Sequence, residues 1–68
     1  MRRLRDYRKA ARLTQAELAF RVGVKREHIT RLEKGETNGS VSLWLRIQEA
    51  LKLSSKALID AMEEKEDT

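Results

Sequence analysis

The chain has 68 residues, 15 Lys plus Arg against 11 Asp plus Glu, a net charge of +4, and neither cysteine nor proline. A chain near 60 residues buries only about 60% of its unfolded surface, so one domain with a small core is expected, and the missing thiols exclude a disulfide framework and a thiolate zinc site. No apolar run approaches the roughly 18 residues of a membrane span and no signal-peptide pattern opens the chain, so a soluble, cytoplasmic protein is expected.

The apolar spacing is helical almost throughout and predicts an all-α bundle of about five short helices. The first covers residues 3–11, with Leu4, Tyr7 and Ala11 on its inner face and Arg2, Arg3, Arg5, Lys9 and Arg12 outside or near its ends. Thr14 followed by Glu17 is a capping box that starts the second helix near residue 15. Leu18 and Val22 lie four apart on its buried face, and Ala19 suits a close helix crossing. Gly23 accepts the left-handed backbone that ends the helix, and Val24 turns the chain back into the core. The third helix, residues 26–34, buries Ile29 and Leu32 and ends at Gly35. Asn38 and Gly39 favour a turn, and Ser40 caps a fourth helix reaching residue 51, with Val41, Trp44, Ile47 and Leu51 inward. The fifth begins at residue 54 or 55 and uses Leu58, Ile59 and Met62. One domain over residues 1–62 is expected, followed by an acidic, disordered tail at 63–68.

Charge is distributed unevenly along this bundle. Residues 1–53 carry 13 basic and 6 acidic side chains, a balance of +7, whereas residues 54–68 carry 2 and 5, a balance of −3. The basic part favours a polyanion such as nucleic acid. Charge alone does not decide, because 38% charged residues would equally solvate a small helical protein.

Residues 14–35 place two helices around a tight, glycine-containing turn. Thr-Gln-x-Glu-Leu-Ala at 14–19, Gly-Val at 23–24 and Ile-x-x-Leu-Glu-x-Gly at 29–35 resemble, in order and spacing, the phage-repressor and Cro-type helix-turn-helix domains. The resemblance to these lambda-repressor-like, XRE-family proteins extends over residues 4–58. It implies that the helix at 26–34 enters the DNA major groove while the preceding helix lies across the backbone. By the same resemblance Lys25, Arg26, Glu27 and Arg31 approach the bases, and Ile29 and Leu32 pointing the other way agree with that choice. Arg26 and Arg31 suit guanine, whose O6 and N7 match a guanidinium fork. Glu27 either accepts from a cytosine amino group or pairs with Arg31 one turn on. Gln15 matches the residue that fixes a phosphate. Thr14, His28, Thr30, Lys34 and Asn38 complete the expected backbone contacts. Arg8 and Glu33 match a structural ion pair tying the first helix to the recognition helix.

The chain departs from the family pattern at four positions. Lys25 stands where Ser or Thr often caps the recognition helix, Gly39 replaces a common proline, and Gln48 a frequent alanine. Arg12 occupies a helix-ending position easier for Gly or Asn. Phe20, outside the buried stripe, is expected to pack on His28, and Trp44 is expected in the core. His28 has no second ligand type clustered near it, so no metal or other cofactor is expected.

The leading expectation is a sequence-specific regulator of transcription that binds a palindromic DNA operator as a homodimer. Leu43, Leu45, Leu58, Ile59 and Met62 offer more apolar surface than one small core needs and are the expected dimer contacts. The alternative is an antitoxin-like module that also binds a partner protein, suggested by the acidic segment 60–67. An enzyme is not expected, since one histidine, no cysteine, no phosphate-cradling glycine loop and no pocket-sized core leave no catalytic constellation.

Overall fold

A computed structural model describes residues 3–62, and within them the chain forms five α-helices and no strand. The acidic segment 63–68 and Arg2 lie outside the described residues. Helix α1 spans Leu4–Ala10, α2 Gln15–Val22, α3 Arg26–Glu33, α4 Val41–Leu51 and α5 Ser55–Met62.

Local chemistry accounts for most helix ends. The Asp6 carboxylate accepts from the Arg3 backbone N–H at 3.0 Å, opening α1. Thr14 Oγ1 accepts from the Glu17 N–H at 3.0 Å, and Glu17 Oε1 accepts from the Thr14 N–H at 2.8 Å, so the capping box is complete. Gly23 closes α2 at φ 78°, and the following Val24 N–H returns to the Ala19 carbonyl at 3.0 Å. Ser40 Oγ caps α4 through the Leu43 N–H, and Ser54 Oγ caps α5 through the Ala57 N–H. Arg12 takes φ 62° and Lys52 φ 54°, a conformation that L residues adopt at some cost.

The core is one cluster. Leu4, Leu18, Ala19, Val22, Ile29, Leu32, Leu43, Trp44, Ile47, Leu51 and Ala61 are buried, with Tyr7, Leu13, Val24 and Leu58 packed around them. Helix α2 packs on both α3 and α4, and α1 meets α5. Trp44 anchors the α3–α4 link, its Nε1 donating to the Asn38 carbonyl at 2.8 Å. Gly39 beside it is at φ 73°, and a Cβ there would stand 3.0 Å from both Leu32 Cδ1 and Trp44 Nε1. The residue that replaces the common proline therefore serves close packing as well as backbone freedom.

Four expectations are corrected. Val41 is 73% exposed, because the buried stripe of α4 runs through Leu43, Trp44, Ile47 and Leu51 and turns the first residue outward. Leu43 is only 2% exposed and belongs to the chain's own core, so it is not available as a dimer contact. Ala11 is exposed because α1 stops at Ala10, and the inner face of that helix is completed by Arg8 instead. Phe20 is 87% exposed, which leaves no packing on His28. At about 100° per residue it lies far around α2 from Leu18, and it borders a groove with Leu13, Ala16, Glu17 and Arg21.

Candidate nucleic-acid interface

Helix α3 has two faces of opposite character. Ile29 and Leu32 are 0% and 1% exposed, while Lys25, Arg26, Glu27, His28, Arg31 and Lys34 are exposed. The buried pair fixes the rotation of the helix, and that rotation alone turns the charged residues outward. Lys25, Glu27, His28 and Arg31 line a shallow groove of about 440 Å³ with Val24 and Thr37. Arg26 sits at the first turn outside this lining. Among the described residues no ion pair joins Glu27 to Arg31. Both side chains are thus uncommitted among the described residues.

The start of α3 carries no side-chain cap from Lys25. Its first-turn N–H groups and the positive end of its dipole therefore lie beside two exposed cations, an environment suited to an anionic surface.

The other expected backbone contacts lie elsewhere. Gln15, Thr30 and Lys34 border a second groove of about 150 Å³ together with Arg3, Arg5 and Glu33. Thr14 is exposed at the α2 cap, and Asn38 is exposed in the link before α4. His28 lies with the expected base readers rather than with Gln15.

Behind the second groove is a polar network spanning three helices. Arg8 Nε donates to Glu33 Oε2 at 2.6 Å and Nη2 to Oε1 at 3.3 Å, with side chains only 9% and 5% exposed. Arg8 Nη1 also donates to the Leu13 carbonyl at 2.8 Å, so one guanidinium holds α3 and the α1–α2 link together. Gln15 Nε2 donates to Glu33 Oε1 at 2.9 Å, and Gln15 Oε1 accepts from Thr30 Oγ1 at 2.8 Å. Each charged member has an opposite charge or a carbonyl against it, as partial burial requires.

Sequence reasoning missed four contributors. Arg3 and Arg5 add charge to the second groove, and their position in a basic first helix was the available signal. Arg46 Nη1 donates to the Val22 carbonyl at 2.7 Å, satisfying the end of α2 from α4. Nothing in local spacing announces that bond, since it joins residues 24 positions apart. Gln48, where alanine is frequent, donates from Nε2 to the Leu53 carbonyl at 3.2 Å and closes the α4–α5 link.

A capped helix, a glycine turn and a second helix exposing a charged face define a helix-turn-helix module. A profile described as helix-turn-helix matches residues 4–58, and the chain belongs to that family, whose members are DNA-binding regulators and not enzymes. A protein of Archaeoglobus fulgidus named an uncharacterized HTH-type transcriptional regulator is 49% identical over 45 residues, 66% of this chain and 63% of that protein. One of the same name in Methanothermobacter thermautotrophicus is 52% identical over 48 residues, 71% of this chain and 70% of its own. The matching segment thus covers under two thirds of the A. fulgidus relative. No solved structure matches the chain.

Proposed function

We propose that the chain is a regulator of transcription that reads double-stranded DNA by inserting α3 into the major groove. The observation that carries this reading is the outer face of α3, where Arg26, Glu27 and Arg31 are exposed beside Lys25 while Ile29 and Leu32 hold the helix from behind. Arg26 and Arg31 serve as forks for guanine, and Glu27 accepts from a cytosine amino group. Gln15, Lys34, Arg3 and Arg5 hold phosphates along the second groove, and Thr14, His28 and Asn38 supply backbone contacts outside it. No helix among the described residues is long and apolar enough to cross a membrane. Action on the chromosome places the protein in a prokaryotic or phage-infected cytoplasm.

The chain acts as a homodimer on a palindromic operator. Leu45, Ile59 and Met62 are 53%, 52% and 41% exposed, and they supply the apolar surface for a second copy, while Leu58 is partly buried against the core. The basic character of the α3 face makes DNA the better-supported target than a toxin-like protein partner.

Selection from random duplex DNA tests the whole reading at once. A palindrome with half-sites about 34 Å apart is the expected product. Affinity for it falls with salt at a log–log slope near −0.9 per phosphate neutralised. Failure to enrich any sequence, with a flat salt response, would favour the protein-partner reading. Sedimentation showing only monomers at high concentration, with and without DNA, removes the homodimer.

A further inference from the structure

We infer that Thr30 is a positioning residue: from the recognition helix, it sets the orientation of the Gln15 side-chain amide. The inference rests on the proposed DNA reading, in which Gln15 holds a phosphate.

An amide can be turned end for end with little change in shape, so something must choose. A carboxylate only accepts, and the half of the Gln15 amide facing Glu33 must therefore be its NH2. That carboxylate does not turn to follow Gln15, because Arg8 grips it through Nε and Nη2 in a site where it is 5% exposed. The amide oxygen then faces α3, where Thr30 Oγ1 donates to it at 2.8 Å. Thr30 has one proton and two acceptors within reach, the second being the Arg26 carbonyl at 3.2 Å. If the proton rotates to that carbonyl, as mid-helix threonines do, Gln15 loses the Thr30 donor at Oε1. The shorter bond to Gln15 keeps both ends of the amide held.

A planar amide held at both ends has a fixed direction for its remaining N–H. One Nε2 hydrogen lies on Glu33, and the other is left for a ligand in the groove that Gln15 shares with Arg3, Arg5 and Lys34. Because the side chain is ordered beforehand, binding loses less rotamer freedom. The contact is to phosphate rather than to a base edge, so the lock tunes affinity for every duplex alike.

The test uses Thr30→Val, which keeps the shape and loses the donor, and Thr30→Ser, which keeps the donor. Thr30→Ala, whose side chain is smaller and a better helix former, stands in if the valine variant unfolds. In the free protein, the two Nε2 proton signals of Gln15 in 15N NMR draw together and exchange faster in Thr30→Val, and recover in Thr30→Ser. The valine variant binds a selected duplex and a random duplex about three- to tenfold more weakly, the range of one hydrogen bond. Thr30→Val adds nothing in a Gln15→Ala background, because the two residues act as one unit.

An equal loss in the Gln15→Ala background makes Thr30 a DNA contact in its own right and overturns the inference. So does a loss confined to the selected duplex, or unchanged Gln15 signals with unchanged affinity. If neither duplex binds the unaltered protein while Thr30→Val still frees the amide, the DNA reading falls and takes the phosphate role with it. The NMR arm needs no DNA, so the two failures are distinct.

Discussion

Helices α2 and α3 are each eight residues long and share one core, yet their polar groups are satisfied in opposite ways. α2 is closed at both ends by the chain itself, through Thr14 and Glu17 at its start and Gly23 with Arg46 at its finish. α3 has no side-chain cap at its start and an outer row of charged residues that forms no ion pair among the described residues, and it is held from behind by Ile29, Leu32 and Glu33. The difference separates scaffold from reader. Side chains of the outer row carry no folding role, so their identities can vary with the target while the fold stands.

The largest way to break this division is to attack the support behind α3. Arg8→Ala leaves the Glu33 carboxylate buried and unpaired, a loss of about 3 to 5 kcal/mol. A single core in a chain this short supplies about that much, so circular dichroism should show no cooperative thermal transition at 25 °C. Replacing both partners with apolar residues, Arg8→Met with Glu33→Leu, should restore cooperative unfolding, since no charge is then stranded. A smaller effect belongs to the outer face. Arg31→Ala should leave the melting temperature nearly unchanged and weaken operator binding by about 1 to 3 kcal/mol, with relaxed preference at one base pair. Titration of the selected operator and its single-base variants measures this. If Arg31→Ala unfolds the chain instead, scaffold and reader are not separate.

Smaller still is the expected effect at the uncapped start of α3. Lys25→Ser supplies the missing acceptor and should stabilise the fold by about 1 kcal/mol in urea unfolding. The same change removes a cation beside the DNA, so it should lower affinity for all duplexes and reduce the magnitude of the salt slope by about one phosphate's worth. Stability and binding moving in opposite directions would sharpen the comparison. The start of α3 would then be kept under-capped in favour of charge.

What the sequence discloses and what it conceals follow the same boundary between local and distant causes. The stripes of Leu18 and Val22 and of Ile29 and Leu32, the Thr14–Glu17 box and the left-handed turn at Gly23 depend on neighbours within a few positions, and periodicity suffices to read them. Val41, Leu43 and Phe20 depend on how a helix is rotated about its axis when it docks. That rotation is set by the whole core, so apolar spacing put Val41 inside and Leu43 outside. The cation-lined face of α3 was readable because its buried complement is local. The lock on Gln15 was not, since it assembles Glu33, Arg8 and Thr30 from two other helices.

The mildest test concerns the strongest local cap. The Thr14 backbone N–H donates to Glu17, the Thr14 side chain adds to this, and nearby Arg21 contributes attraction, so the Glu17 carboxyl titrates below its ordinary range. A carboxylate with a depressed folded-state pKa binds protons less readily in the folded chain than in the unfolded one. Its contribution to stability is therefore fully present above the unfolded pKa, about 4.3 for Glu, and is lost as pH falls through the lower folded value. Urea midpoints of the unaltered chain and Glu17→Gln should differ at neutral pH and converge below that window. The gap should be small, because Glu17 is exposed and water screens its charge. Convergence would tie the start of α2 to ionisation of this one side chain. A gap that persists at low pH would assign the Glu17 contribution to the shape of its side chain rather than to its charge, and α2 would then keep its closed start across the whole acid range.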